Sequence, residues 1–193
     1  AVSARGQEIL RPSRLGLVLA DGPTLGTKPV VASTTPQRVN QTLRPVVRIK
    51  RAEVLDRFNE CRFDFAGNYA LIVRAYDDGV AYRWATRLPG EITVRDEVAT
   101  FAFTGDHQLY FPEETSFISH QEREYKKPNI SELKPGQFSG LPALAVVPGG
   151  PKVAITEADL FDYPGMDLTV AGDPFALKGL FPAYPARTEM VRD

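Results

Sequence analysis

The chain has 193 residues, 43% of them hydrophobic and 24% charged, with 15 Gly and 16 Pro, which is the composition of a globular protein and excludes disordered and collagen-like chains. Its 23 Lys and Arg stand against 24 Asp and Glu, a net charge of −1, so no chain-wide field draws it to nucleic acid or to an anionic membrane, and neither is expected as a partner. No apolar run exceeds five residues, as at Tyr69–Val73, against the roughly 20 that a spanning helix needs.

Apolar residues recur with period two or in short runs, and Pro or Gly interrupts them too often for a long amphipathic helix, which predicts an all-β fold. Strands are expected at Leu15–Ala20, Leu43–Ile49 and Arg62–Phe65. Val54, Leu55 and Phe58 have helical spacing, but the window 51–60 is short and uncapped and leans to strand. The clearest unit is Tyr69–Tyr76 and Val80–Ala85 around Asp77-Asp78-Gly79, a hairpin whose glycine accepts positive φ. In its second arm Val80, Tyr82 and Trp84 share the face expected to point inward. Ile92, Val94 and Val98 continue the alternation, while Phe101 and Phe103 fall on the opposite parity, suggesting a bulge or bend near Ala99. Residues 113–140 are polar and irregular, and long irregular segments in compact domains tend to carry function or disorder. Further strands are expected at Ala143–Val147, Lys152–Ala158, Met166–Val170 and Phe175–Phe181. About ten short strands suit two packed, mostly antiparallel sheets, and no repeat or composition shift marks a second domain.

Three acidic groups could carry chemistry. Turn chemistry explains Asp77-Asp78 fully. Glu113, Glu114, Glu122 and Glu124 crowd with His120 and Tyr125 into the irregular segment, as a solvated charge run or as a metal or sugar site. Glu157 is an acid in a β-rich run and reads as an outward strand residue or a functional one. The 19 aromatics could wall a sugar site, although most are better used as core. Cys61 alone cannot form an internal disulfide, and with only His107 and His120 beside it there is no zinc set. No P-loop, dinucleotide fingerprint, HExxH or nucleophile elbow is present, which weighs against phosphoryl transfer, hydride transfer and serine hydrolysis. The N-terminus lacks the pattern of a secretory leader, as a mature or truncated chain also would.

Several motifs occur in one order: Pro12-Ser-Arg-Leu-Gly-Leu17, Val54-Leu-Asp-Arg-Phe-Asn-Glu60, the hairpin Val73-Arg-Ala-Tyr-Asp-Asp-Gly-Val-Ala-Tyr-Arg83, Phe101-Ala-Phe103 with Gly105-Asp106, Ser119-His-Gln-Glu-Arg-Glu-Tyr125, and Ile155-Thr-Glu-Ala-Asp-Leu-Phe-Asp-Tyr-Pro-Gly-Met166. Together they resemble the N-terminal domain of glycoside hydrolase family 97 over nearly the whole chain. The resemblance implies a two-sheet, mutarotase-like β-super-sandwich forming a single domain over 1–193, with family strands preceding Ala1 and the family linker following Asp193. It also implies a bacterial, periplasmic or secreted α-glucosidase or α-galactosidase as parent. The parent's catalytic (β/α)8 barrel, about 250 residues in size, is absent here, so this chain is expected to be inactive alone.

In that family a loop glutamate of the N-terminal domain joins the Ca²⁺ shell of the barrel. The Glu-x-x-Tyr pattern falls on Glu122-Arg-Glu-Tyr125, so the resemblance implies Glu122 as a Ca²⁺ ligand, with Tyr125 and Glu157 supporting the ion's ligands or lining the interface. The implied partners are the barrel of the same polypeptide and an α-linked oligosaccharide, and the implied chemistry is glycoside hydrolysis by barrel carboxylates. Glucoside or galactoside, inverting or retaining, both stay open, since barrel residues decide them. A free-standing, lectin-like sugar-binding sandwich is the alternative. An epimerase-like sandwich is weaker, because it needs an acid and a base in one cleft and only two His are present.

Overall fold

The computed structural model describes residues 1–161 and 163–183. Its strands, in chain order, are β1 (Val2–Ala4), β2 (Gln7–Leu10), β3 (Leu15–Leu19), β4 (Thr24–Leu25), β5 (Val31–Leu43), β6 (Val54–Phe65), β7 (Tyr69–Ala75), β8 (Val80–Thr86), β9 (Val94–Ala102), β10 (Gln108–Tyr110), β11 (Glu113–Glu114), β12 (Phe138–Ser139), β13 (Ala143–Val146), β14 (Lys152–Ile155), β15 (Asp167–Val170) and β16 (Ala176–Leu180). One 3₁₀ turn, Ile130–Glu132, is added to them. The fold is all-β and mostly antiparallel, with the sheet organisation of a β-sandwich, and divides into two compact units: residues 17–95, and residues 1–16 with those from 96 onward.

The first unit is built on the meander β5-β6-β7-β8. Its clearest part is the expected hairpin, in which the Tyr76 N–H donates to the Gly79 carbonyl at 2.8 Å across the Asp-Asp-Gly turn, although Gly79 does not take the positive φ expected of it. Gly67 and Asn68 turn β6 into β7 with φ of +102° and +62°, a left-handed region that these two residue types enter most cheaply. The ambiguous window 51–60 resolves as strand from Val54, with Phe58 buried beneath the Arg74 guanidinium, 4.3 Å from its ring centroid. Trp84 packs on a cluster of Leu17, Leu25 and Tyr69, as its parity requires. Val80 does not follow it inward and is 54% exposed, because it opens the strand beside the turn. The strand expected at Leu43–Ile49 is absent: Leu43 is the last residue of β5, and residues 44–53 form the loop to β6. β5 itself is polar and nearly all exposed, so no alternation announces it.

In the second unit the three strands β10-β13-β14 pack on the run β11-β12-β15-β16-β9. Leu109, Ala143 and Ile155 meet Leu168, Leu177, Phe103 and Phe111 in one buried cluster. Four of the expected strands appear as β13 to β16, each slightly trimmed, and β14 ends at Ile155 rather than at Ala158. β9 runs from Val94 to Ala102 through the position expected to bulge, with Ala99 and Ala102 buried. Phe103 lies just beyond the strand, where its N–H donates to the Phe175 carbonyl at 2.9 Å.

Candidate functional site

The segment read as irregular leaves the second unit as a staked loop. Phe111 and Lys126 exchange backbone hydrogen bonds of 2.9 and 3.0 Å, and the Leu109 N–H donates to the Pro128 carbonyl at 2.8 Å. Two charge contacts reinforce this base. Glu114 has a side chain only 3% exposed, and its carboxylate accepts from Arg123 Nε at 3.0 Å. Glu113 accepts from Lys126 and, at 2.8 Å, from Gln137 Nε2; the hydrogen bond from Lys126, followed by that from Gln137, holds its carboxyl below the ordinary range.

On this base the loop presents the residues singled out in the sequence. His120, Glu122, Glu124 and Tyr125 are all exposed on it. The Tyr125 hydroxyl donates to the Pro142 carbonyl at 3.2 Å, and its ring borders an apolar hollow of about 360 Å³ shared with Tyr110, Pro142, Leu144 and Ala154. Tyr110, Leu144 and Ala154 stand in register across β10, β13 and β14, which is why they form one patch. Among the described residues no group of three or more His, Cys, Asp or Glu is placed to hold a metal. Ca²⁺ takes six to eight oxygens, so a single loop carboxylate can lend a ligand without making a site.

Glu157 lies elsewhere, on the segment after β14. Both of its carboxylate oxygens accept the Met166 N–H at 3.0 Å, so it clasps the turn that leads into β15; Asp162 of that motif is outside the described residues. Burial raises its pKa against the help of that hydrogen bond, and the charge of Glu97 adds to the rise. Asp167, which opens β15, was not anticipated as a site residue. Its pKa is pushed up to about 6, chiefly by burial and then by the charges of Glu114 and Glu157. Glu114, Asp167 and Glu157 are thus electrically linked, with Arg123 bonded to the first of them. The only sequence signal for Asp167 was an acid opening an apolar strand. His107 is a core residue, edge-on to Phe103 with ring centroids 5.7 Å apart, and burial lowers its pKa despite the neighbouring Asp106.

The whole sequence, residues 1–193, matches the family described as Glycosyl-hydrolase 97 N-terminal. The chain belongs to that family. It is 27% identical over 196 residues to the retaining alpha-galactosidase of Bacteroides thetaiotaomicron, covering 97% of this chain and 30% of that protein. Two solved structures of a glycoside hydrolase family 97 enzyme from Pseudoalteromonas sp. strain K8 share the fold. The acarbose complex superposes with a TM-score of 0.79 and an arginine-to-lysine variant with 0.81, each at 19% identity over 92% of this chain and 28% of theirs. The glycosyl-hydrolase 97 N-terminal chain therefore spans under a third of the length of these relatives, which extend well beyond it.

Proposed function

We propose that this chain is the non-catalytic N-terminal domain of a bacterial family 97 α-glycoside hydrolase of the α-glucosidase or α-galactosidase type. The observation that carries the reading is the family match over the full 193 residues combined with coverage of only 28–30% of the related enzymes. In this reading both compact units form one domain and a catalytic barrel of the same polypeptide is its partner. The parent acts on an α-linked oligosaccharide in the periplasm or outside the cell.

The staked loop is the contact to that barrel. Glu122 supplies one carboxylate to a Ca²⁺ ion whose other ligands come from the barrel, and the ion, when bound, orients and polarises the sugar. The exposure of Glu122 and the anchored base of its loop fit a donated ligand. Tyr125, tied to Pro142, adds a side-chain anchor at the base of the loop, beside Lys126. Glu157 acts on the turn before β15 by accepting the Met166 N–H.

Glu122→Gln in the full-length enzyme tests this. Turnover should fall at least tenfold, with partial recovery at high Ca²⁺, whereas Glu124→Gln leaves both unchanged. Equal, Ca²⁺-independent effects of the two variants would remove Glu122 from the ion. The competing lectin-like reading draws on the Tyr110–Tyr125 hollow, since paired Tyr rings suit the apolar face of a sugar. It requires saturable sugar binding by the 193-residue chain itself, lost in Tyr110→Ala.

A further inference from the structure

The net charge of −1 is an average over two very different parts. Residues 38–57, the distal half of the β5–β6 hairpin with its loop, carry six Lys and Arg against two Asp and Glu, a charge of +4, and the other 173 residues carry −5. Arg38, Arg44, Arg48, Lys50, Arg51 and Arg57 are all exposed. Both acids of the segment are engaged within it: Glu53 accepts from Arg44 at 3.0 Å and Asp56 from Gln41 at 2.8 Å.

The same segment projects beyond its sheet. β7 pairs with β6 only from Asn59 onward, so the five pairs from Val39↔Phe58 to Leu43↔Val54 form a two-stranded arm about 17 Å long at the usual strand rise. Its tip is aliphatic: Val46 is 100%, Ile49 84% and Val47 68% exposed. Isolated apolar residues on a surface need no explanation, but three within four positions, ringed by Arg44, Arg48, Lys50 and Arg51, do. The loop has no regular structure that would gather them on one face, so they suit an apolar medium better than a groove in a protein. Cations interleaved with and flanking an aliphatic tip are an arrangement that binds an anionic membrane interface.

We propose that the arm formed by residues 38–57 docks on an anionic phospholipid surface, the aliphatic tip entering the headgroup boundary and the cations pairing with lipid phosphates. The inference does not involve Glu122, and it requires that the arm stay exposed beside the barrel of the proposed parent. It departs from the expectation that net charge set, because a chain-wide sum does not see a local +4.

Flotation of the full-length protein with phosphatidylcholine vesicles, with and without phosphatidylglycerol, tests it. Binding should require phosphatidylglycerol and weaken as salt rises. Each cation near such a surface strengthens binding by about fivefold, so the charge reversals Arg48→Glu, Lys50→Glu and Arg51→Glu together should cost more than 100-fold. Val46→Ser with Ile49→Ser should remove the fraction that survives high salt, and both variants should keep the parent melting temperature, since the positions are exposed. No flotation with phosphatidylglycerol, or equal flotation of the charge-reversed chain, overturns the proposal. So does a lipid-free protein in which Lys50 is shielded from amine acylation, since another protein surface then covers the arm. A dimer lost on charge reversal would identify that surface as a second copy.

Discussion

Two excursions from the sheets, the staked loop after Phe111 and the arm of residues 38–57, are built on opposite principles. The loop has little regular structure of its own, but its base is closed by a backbone pair and a buried carboxylate bonded to Arg123. The arm has a regular ladder up to its tip loop at residues 44–53 and little beneath it, since past Phe58 its two strands bond only to each other. Regularity and rigidity therefore part company. A two-stranded ribbon is marginal in water, whereas an irregular loop whose ends are pinned holds its side chains in place. That difference suits a precise single-ligand role for the loop and a compliant contact for the arm.

Arg123→Ala attacks the first half of the comparison and has the largest expected effect. It leaves Glu114, whose side chain is 3% exposed, charged without its guanidinium. Losing one partner of a buried pair costs about 3–5 kcal/mol, and the partial exposure of Arg123 brings the expectation to about 2 kcal/mol. Urea unfolding at pH 7 measures it. Glu114→Gln in the same background should recover part of the loss, because the uncompensated charge is then gone; failure to recover would mean that Arg123 stabilises by packing rather than by charge.

The contrast was only half legible in the sequence. The β7–β8 hairpin can be read because alternation and an Asp-Asp-Gly turn agree, whereas the polar segment 113–140 is irregular only in part: it opens with β11, holds the 3₁₀ turn Ile130–Glu132 and ends in β12, pieces too short to show a period. The arm is not legible: Leu43, Val46, Val47 and Ile49 look like a buried strand, yet only Leu43 belongs to one, and the earlier part of that same strand, Ser-Thr-Thr-Pro-Gln-Arg, shows no period because both its faces are wet. Period reports burial on one side and is silent where neither side is buried. Glu122 and Glu157 were visible as acids in conspicuous places. That Glu157 spends its carboxylate on the Met166 N–H, and that Glu114 and Asp167 lie beneath the loop, depends on pairings between distant segments that no local pattern encodes.

Asp167 gives a smaller and pH-dependent effect at the same base. Its pKa of about 6 exceeds the model-peptide value of 3.8, so the unfolded chain gives up this proton more readily than the folded one. The folded state is therefore unpenalised below about pH 4, loses stability as pH rises toward 6, and carries the full cost above it. Asp167→Asn should stabilise the protein by about 1–2 kcal/mol at pH 7.5, allowing for solvent screening, and by nothing at pH 4. Melting temperatures at the two pH values decide this, and a gain that persists at pH 4 would assign the effect to packing.

The smallest expected effect is on the arm. Ile49→Ser removes an aliphatic side chain that is 84% exposed, and surface changes of that kind stay within about 0.5 kcal/mol. The informative readout is local. Amides of residues 40–43 and 54–57 should exchange far faster than those of Phe111 and Lys126, because the arm can open without disturbing a core while the loop base cannot. Phosphatidylglycerol vesicles should slow exchange at the arm alone. If the arm amides in lipid-free protein were as protected as the loop base, the ribbon would be held by contacts beyond its own ladder, and the compliance that separates these two excursions would be lost.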